Sequence, residues 1–491
     1  MRLISTDTMR ALERAAIENG ISEIQLMGEA GSGAAQIIAE WSRNTLPEIH
    51  RKKFKIVCGR GNNGGDGLKV AQDLINKFNL DCEVFMMAPV EKMSETSQHY
   101  SKGLPLNPIS EFSITRGDVI IDALLGTGLN GPLKDNFRQI IEIINHSKAP
   151  VVSLDCPSGL SGDSGLADPT AVIASLTITF GYPKIGLVIA DASKYTGPIR
   201  VVPISIPMPD CVGPELTTIQ DCAAFLSPLD HCAHKNSRPR VAVIGGSIQY
   251  PGAPQLSAIA ALRAGAGLVR LLLPENAPVK TPLAIIPCFT DNNFMETEEL
   301  MYNSDIAVIG PGWSNGNIEV LQKLINGDKT VVIDADALNL IARHPAIIQR
   351  SGSAPLIMTP HPGELARLQQ AFSLPQVSAR IEAAQQMASY CNAIVVLKGA
   401  RTVIATPDGL SAFNGSGSPA LATAGSGDVL AGVIAATAGT QRGQKLFNAV
   451  CTAVFLHGLA GELHPDAERS VIADDLPLLV AKALKTIMPR A

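Results

Sequence analysis

Two stretches of this sequence join carboxylates to clustered glycines in a way that suits chemistry on a phosphorylated ligand. GRGNNGGDG, residues 59–67, follows the apolar run FKIVCG and precedes the helical pattern LKVAQDLINKF. Its backbone N–H groups can form an anion nest, while Asn62, Asn63 and Asp66 add side chains that a plain phosphate cradle does not need. LATAGSGDVLAGVIAATAG, residues 421–439, sets Gly425, Ser426 and Gly427 before an apolar helix with Asp428 in its first turn. Those amides would stabilise a transferring phosphoryl group, and Asp428 would accept a hydroxyl proton. No GK[ST] follows the glycines, so this is not a Walker loop.

Further loops of the same kind follow other apolar runs. DVIIDALLG places Asp122 before GTGLNGP, and PVVSLD ends at Asp155 before CPSGL. Asn63, Asp122 and Ser158 offer oxygen ligands to a hard monovalent or divalent cation, and Asp155 can serve as a general acid/base. The plainer possibilities are a dipole-favoured helix acid for Asp66, a solvated strand end for Asp122 and a turn opener for Asp155. In the second half, LKGARTVIATPDG puts Lys398 and Gly399 at a strand end within reach of phosphate, with Arg401 beside them. TPHPGELARL sets His361 and Glu364 at a strand-to-helix turn, where Glu364 reads as a first-turn helix acid. IGPGWSNGN and VIDADALN supply two more strand-end loops. His231, Cys232 and His234 in DHCAHK fit no standard zinc spacing.

Gly59, Gly61 and Gly64 also satisfy the GxGxxG pattern of dinucleotide dehydrogenases, with Asp81 or Glu83 as the ribose acceptor. Against that reading, Asn62, Asn63 and Asp66 crowd the loop and Asp66 would repel a pyrophosphate. The same loops would also suit a ribokinase-type small-molecule kinase, or a first half that binds its ligand without catalysis.

The elements that must position these loops alternate short apolar runs with amphipathic helices, the signature of parallel α/β architecture. The first half offers strands at 54–59, 82–88, 118–126, 150–155 and 174–181, preceded by a helix capped by Ser5 or Thr6 and a second through AAQIIAEWSRNTL. The pattern fails across the proline-rich PISIPMPDCVGPELTTIQ. A new series then offers strands at 240–246, 268–274, 305–312, 330–336, 355–360, 393–399 and 402–409. A chain of 491 residues exceeds one ordinary core, so two domains are expected, at 1–215 and 240–491, with a linker at 216–239.

Composition narrows the function classes. Hydrophobic residues at 46% against 17% charged describe a packed globular chain. A formal charge of −5 argues against nucleic-acid or anionic-membrane partners. Nine cysteines without a CxxC pair suit a reducing, cytoplasmic setting. No signal peptide is recognised, and no apolar run reaches the roughly 18 residues of a membrane span.

Taken together, the motifs resemble those of the bifunctional NAD(P)H-hydrate repair enzymes along nearly the whole chain. MRALERAAIENGI, LMGEAG, GRGNNGGDG, DALLGTGLNGP and DCPSGL carry the N-terminal likeness. VAVIGGS, GPG, VIDADALN, TPHPGE, KGARTVIA and AGSGDVLAG carry the C-terminal one. The resemblance implies a Rossmann-like three-layer epimerase domain followed by a ribokinase-like α/β ADP-dependent dehydratase domain. It implies that Asn62, Asn63, Gly64, Gly65 and Asp66, then Gly126, Thr127, Gly128, Leu129, Asn130, Gly131 and Pro132, and Asp155 hold hydrated NADH or NADPH. It also implies potassium on Asn63, Asp122 and Ser158. In the second domain, Ala253, Gly312, His361 and Asp428 would touch the hydrate. Lys398, Gly399, Ala400, Arg401, Thr402, Gly425, Ser426 and Gly427 would hold ADP with magnesium. Asp155 and Asp428 are the expected catalytic residues, and a homo-oligomer is expected. The sequence departs from the family pattern at Gly28, where Glu is usual, at Ser314, where glycine is expected, at Ser418, where Asn is common, and after His234-Lys235.

Overall fold

The computed structural model describes every residue except 47–52, 128–132, 190–191, 209–212, 291–293, 350–351, 378, 465–467 and 489–491. The chain forms two compact units, residues 2–213 and residues 214–491 together with Met1.

The first unit holds β1 (Lys53–Cys58), β2 (Asp81–Met86), β3 (Leu106–Pro108), β4 (Asp118–Ala123), β5 (Val151–Leu154), β6 (Leu176–Phe180) and β7 (Ile199–Val202). They lie in the order β3-β2-β1-β4-β5-β6-β7, every neighbouring pair parallel. Alternation along β1 sorts its side chains between two apolar layers. Phe54, Ile56 and Cys58 join Ala34 and Ile38 of helix Glu23–Thr45 and Leu68 and Ala71 of helix Asn62–Asn76. Val57 on the other face joins Ile120 and, from helix Asp135–Ser147, Ile141 and Ile144. The result is the three-layer parallel sheet expected of a Rossmann-like domain. Its order reverses between β1 and β4, which opens a crevice at the strands' carboxyl ends.

The second unit holds β8 (Glu215–Thr217), β9 (Arg240–Ile244), β10 (Leu268–Pro274), β11 (Ile285–Thr290), β12 (Ile306–Ile309), β13 (Thr330–Ile333), β14 (Leu356–Met358), β15 (Ile394–Leu397), β16 (Val403–Ala405) and β17 (Ser411–Asn414). Their order is β11-β10-β9-β12-β13-β14-β15-β16-β17-β8. Among the described strands of this unit, only the β15–β16 and β16–β17 pairs are antiparallel. Val241, Val243, Ile306 and Val308 pack with the apolar helices Ser426–Ala438 and Gly443–Glu462. The alternate residues Ala242, Ile244, Ala307 and Ile309 are equally buried, so the sheet is covered on both faces.

Two expectations change. Part of the segment expected to be a linker belongs to the second sheet: β8 pairs in parallel with β17, and Thr218 with Asp221 forms a capping box on helix Ile219–Phe225. Periodicity also gives no sign of the strands β3, β7, β11 and β17; β3 and β7 are short, and Pro287 interrupts β11 at the sheet's edge. Among the described residues no helix is long and apolar enough to cross a membrane.

Lys55 intrudes on the apolar face of β1 and is tolerated because Asp118, equally buried, lies 3.1 Å from its ammonium. Removing one partner of such a pair leaves an uncompensated buried charge. Asp118→Ala is expected to destabilise the first unit by about 3 kcal/mol, Glu83 at 3.7 Å being a partial substitute. Urea unfolding of the variant measures this, and a change within about 0.5 kcal/mol would contradict it.

Candidate active sites

In the first unit, the helix after β1 starts earlier than its apolar pattern suggests. Asn62 is its first residue and Gly61 its N-cap, so Asn62 to Asp66 form its opening turns rather than a free loop. Asp66 lies beyond the first turn, and the reading of it as a simple helix-cap acid falls away. The glycines of the GxGxxG pattern are spent differently from a dehydrogenase's. A side chain on Gly59 would run into the Leu124 carbonyl, and one on Gly64 would run into the Gly59 carbonyl. These two make room for the protein's own backbone; only Gly61 faces open space. Gly65 is likewise filled in by Ser97 and Met27. Asp81 opens β2 at its amino end, away from the crevice, and Glu83 is paired with Lys53 at 2.7 Å. The dehydrogenase reading therefore loses both its ribose acceptors.

Three carboxyl-terminal strand ends meet around Gly126. Asp122, fully buried at the end of β4, accepts from the Ser158 hydroxyl at 2.6 Å, the Ser158 amide at 2.9 Å and the Ser153 hydroxyl at 2.8 Å. Burial raises its pKa and those hydrogen bonds oppose the rise. Asn63 is 8% exposed, yet neither its amide nitrogen nor its oxygen has a hydrogen-bond partner among the described residues. Such an orphaned amide marks a place for a ligand. A side chain on Gly126 would lie 2.8 Å from the Asp155 carboxylate and 3.3 Å from the Asn63 side chain. Both functional groups thus look onto the space that Gly126 leaves open.

Asp155 itself holds a left-handed backbone, with φ at +63°. Its carboxylate accepts from Lys184 Nζ at 2.6 Å and from the Thr127 amide at 3.1 Å. Lys184 is 1% exposed and donates also to the Thr179 hydroxyl and the Phe180 carbonyl, both at 3.1 Å. Burial works to raise the pKa of Asp155, but the lysine beside it outweighs this and holds the carboxylate below its usual range. The pKa of Lys184 is raised, its own burial being outweighed by Asp155. Asp66 moves the other way: burial, then the charges of Asp155 and Glu13, push it well above the carboxylate range. Lys184 and Glu13 were not singled out by sequence. An isolated lysine in FGYPKIGL carries no spacing signal, and only the adjacency of β5 and β6 brings it to Asp155. Gly128, Leu129, Asn130, Gly131 and Pro132 lie outside the described residues.

In the second unit, Gly425 caps helix Ser426–Ala438 in a left-handed conformation with φ at +91°. The Ser426 hydroxyl turns inward, 3.1 Å from His457 Nε2. His457 is buried, and that burial drops its pKa to about 4, so it is neutral at physiological pH. The Asp428 carboxylate makes no hydrogen bond among the described residues. Burial, reinforced by Asp334 and opposed by Lys398, raises its pKa to about 7. The Lys398 ammonium sits 2.7 Å from Asp334 and 3.8 Å from Glu364. It also packs 3.3 Å from where a side chain on Gly427 would be, joining the KGAR and GSGD motifs. Asp334, 1% exposed after β13, is another participant that sequence left unassigned within VIDADALN.

His361 caps helix Pro362–Ala371: its Nδ1 accepts from the Gly363 amide at 3.0 Å, and Glu364 returns the bond to the His361 amide at 2.7 Å. Its pKa is lowered by burial and then by Lys398, which leaves a neutral imidazole with half of its side chain exposed. Glu364 is the expected first-turn acid, but it is buried and also faces Lys398. Ala253 and Gly312 come together: a side chain on Gly312 would run into the Tyr250 carbonyl and lie 3.2 Å from Ala253. Ser314, where glycine was expected, has φ at +53°, so the departure costs backbone strain, and its buried hydroxyl has no partner among the described residues. His231, Cys232 and His234 are exposed, and among the described residues no three metal-ligating groups converge there or elsewhere.

Comparison with known proteins finds a match for each unit. A family model described as YjeF-related protein N-terminus matches residues 23–186, and one described as NAD(P)H-hydrate dehydratase matches residues 241–484. The bifunctional NAD(P)H-hydrate repair enzyme of Thermofilum pendens is 35% identical over 494 residues, 94% of this chain and 92% of its own. That of Moorella thermoacetica is 34% identical over 511 residues, 97% of this chain and 95% of its own. Among solved structures, the ADP/ATP-dependent NAD(P)H-hydrate dehydratase of Bacillus subtilis, co-crystallised with ATP and Mg2+, is 28% identical. It covers 56% of this chain and 100% of its own, with a TM-score of 0.49. Relatives so similar over nearly the full length of both chains place the sequence: it belongs to the family of bifunctional NAD(P)H-hydrate repair enzymes.

Proposed function

We propose that the repair is divided between the two units, with Asp155 carrying epimerisation in the first and Asp428 carrying ADP-dependent dehydration in the second. The observation that supports this division is the contrast between the two aspartates: Asp155 is held ionised by Lys184, whereas Asp428, with no hydrogen bond to its carboxylate among the described residues, titrates near 7.

In the hydrated nicotinamide ring, C6 carries both a hydroxyl and the ring nitrogen. An ionised Asp155 at the Gly126 opening can take the hydroxyl proton. The C6–N1 bond then opens to an aldehyde, with the electron pair delocalised from nitrogen into the conjugated carboxamide. Reclosure on the other face and return of the proton give the opposite epimer. Potassium would be held by Asn63, whose unpartnered amide oxygen fits it, with Asp122 and Ser158 beside it. Bound there, it would fix the loops around the substrate.

In the second unit Asp428 accepts the C6 hydroxyl proton as the oxygen attacks the β-phosphorus of ADP. The P–O bond to AMP breaks, and the amides of Gly425 to Gly427 stabilise the charge in transit. The ring nitrogen then expels phosphate from C6, a proton leaves C5, and the 5,6 double bond of NADH or NADPH returns. Phosphate leaves far more readily than hydroxide, which accounts for the nucleotide. Magnesium would be held mainly by the nucleotide phosphates and would supply positive charge there. Lys398 is committed to Asp334, so its part in holding nucleotide falls to its backbone and to the residues after it.

Purified protein incubated with hydrated NADH, with and without ADP and magnesium, tests the division through 340 nm absorbance and chromatographic separation of the epimers. Asp428→Asn is expected to abolish NADH recovery and spare epimer exchange, and Asp155→Asn the reverse. Either substitution removing both activities would contradict separate sites. Because Asp428 acts as a base only when ionised, dehydratase kcat/KM is expected to fall about tenfold per pH unit below 7. Epimerisation, served by a carboxylate already ionised, is expected to stay level from about pH 6 to 8. A dehydratase profile flat down to about pH 5 would remove Asp428 as the base.

A further inference from the structure

Arg380 is an unusual residue for its position. It is the first residue of helix Arg380–Cys391, whose N-cap supplies no side-chain hydrogen bond, and a cation there opposes the helix dipole. It is partly buried with no carboxylate partner among the described residues, and burial alone lowers its pKa. Among the described residues its guanidinium donates only to neutral backbone. Nη1 donates to the carbonyls of Ala400 at 2.5 Å and Arg401 at 3.4 Å, and Nη2 to those of Leu397 at 3.1 Å and Lys398 at 3.3 Å.

The carbonyls of Lys398, Ala400 and Arg401 belong to the turn that joins β15 to β16, and that of Leu397 closes β15. Its backbone is forced: Gly399 has φ at +143° and Arg401 at +51°, both in the left-handed half of conformational space. A side chain on Gly399 would lie 2.9 Å from Arg380 Nη2, so the glycine is needed to let the guanidinium in. In a trans peptide the carbonyl and the following N–H point opposite ways. Gathering the carbonyls of Lys398, Ala400 and Arg401 on one cation therefore turns the N–H groups of Gly399, Arg401 and Thr402 away from it. Outward amides backed by a positive charge without a counter-ion make an anion-binding surface.

We propose that Arg380 is a positioning residue for nucleotide binding: it moulds the 398–402 turn so that its amides face a nucleoside diphosphate, and it adds a positive field behind them. The inference rests on the reading of that turn as part of the ADP site. It supplies the cation that Lys398, occupied by Asp334, does not.

Titration calorimetry of the full chain with ADP, in the absence of hydrate, tests it, alongside steady-state kinetics. Arg380→Ala is expected to weaken ADP binding by at least about tenfold and raise KM for ADP equally, the loss of a few charge-assisted bonds. The KM for the hydrate and the rate of epimer exchange are expected to stay unchanged. Arg380→Lys keeps the charge but has too few donors for the four carbonyls, and is expected to fall between the two. If the alanine chain fails to fold, as judged by circular dichroism and lost epimer exchange, the lysine variant decides: ADP affinity within about twofold of the parent overturns the proposal. The same affinity in a folded Arg380→Ala overturns it while leaving the ADP site standing. Absence of ADP binding by the parent chain overturns the ADP site and the proposal with it.

Discussion

Burying a carboxylate at the end of a parallel strand is costly, and how each such charge is compensated decides what both units can do. Asp122 is compensated by serine hydroxyls and amides, Asp155 by Lys184, and Asp334 by Lys398. Asp428 has no hydrogen-bonding partner for its charge among the described residues, and its pKa climbs to about 7. Asp155 directly follows a strand whereas Asp428 stands in the first turn of a helix, and the two carboxylates are shifted in opposite directions. One aspartate stays ionised across the physiological range, and the other is poised at its midpoint, where a base can both take and release a proton.

The scaffolds explain why these particular residues meet. In the first unit, the crevice between β1 and β4 brings Asn63 to Gly126, and the neighbouring β5 and β6 deliver Asp155 and Lys184. Close backbone contacts through Gly59 and Gly64 keep the helix of Asn63 tight against β4. In the second unit, Lys398 ties β13 to the turn after β15 and abuts Gly427 at the start of helix Ser426–Ala438. Substitution of either glycine loop would move charges, not only backbone.

Much of this was legible in the sequence, and the failures have physical reasons. Asp122, Asp155 and Asp428 stand next to small residues at the ends of apolar runs, a local pattern that can be read directly. Lys184 and Arg380 were silent because each acts through partners from other strands or from a later turn. Residues 216–239 read as linker because the periodicity fails around them, yet β8 finds its partner in β17, far along the chain. GRGNNGGDG misled in a different way: the glycines that define the pattern serve internal packing, while Asn63, which the pattern ignores, carries the unpartnered amide.

The division of labour rests on the charge states of two aspartates, and infrared difference titration of the parent chain against Asp428→Asn and Asp155→Asn reads them directly. The band lost with Asp428 is expected to convert from carboxylic acid to carboxylate with a midpoint near 7, and the band lost with Asp155 to remain carboxylate from about pH 5 to 8. An Asp428 already ionised at about pH 5, or an Asp155 protonated at neutral pH, would contradict the account.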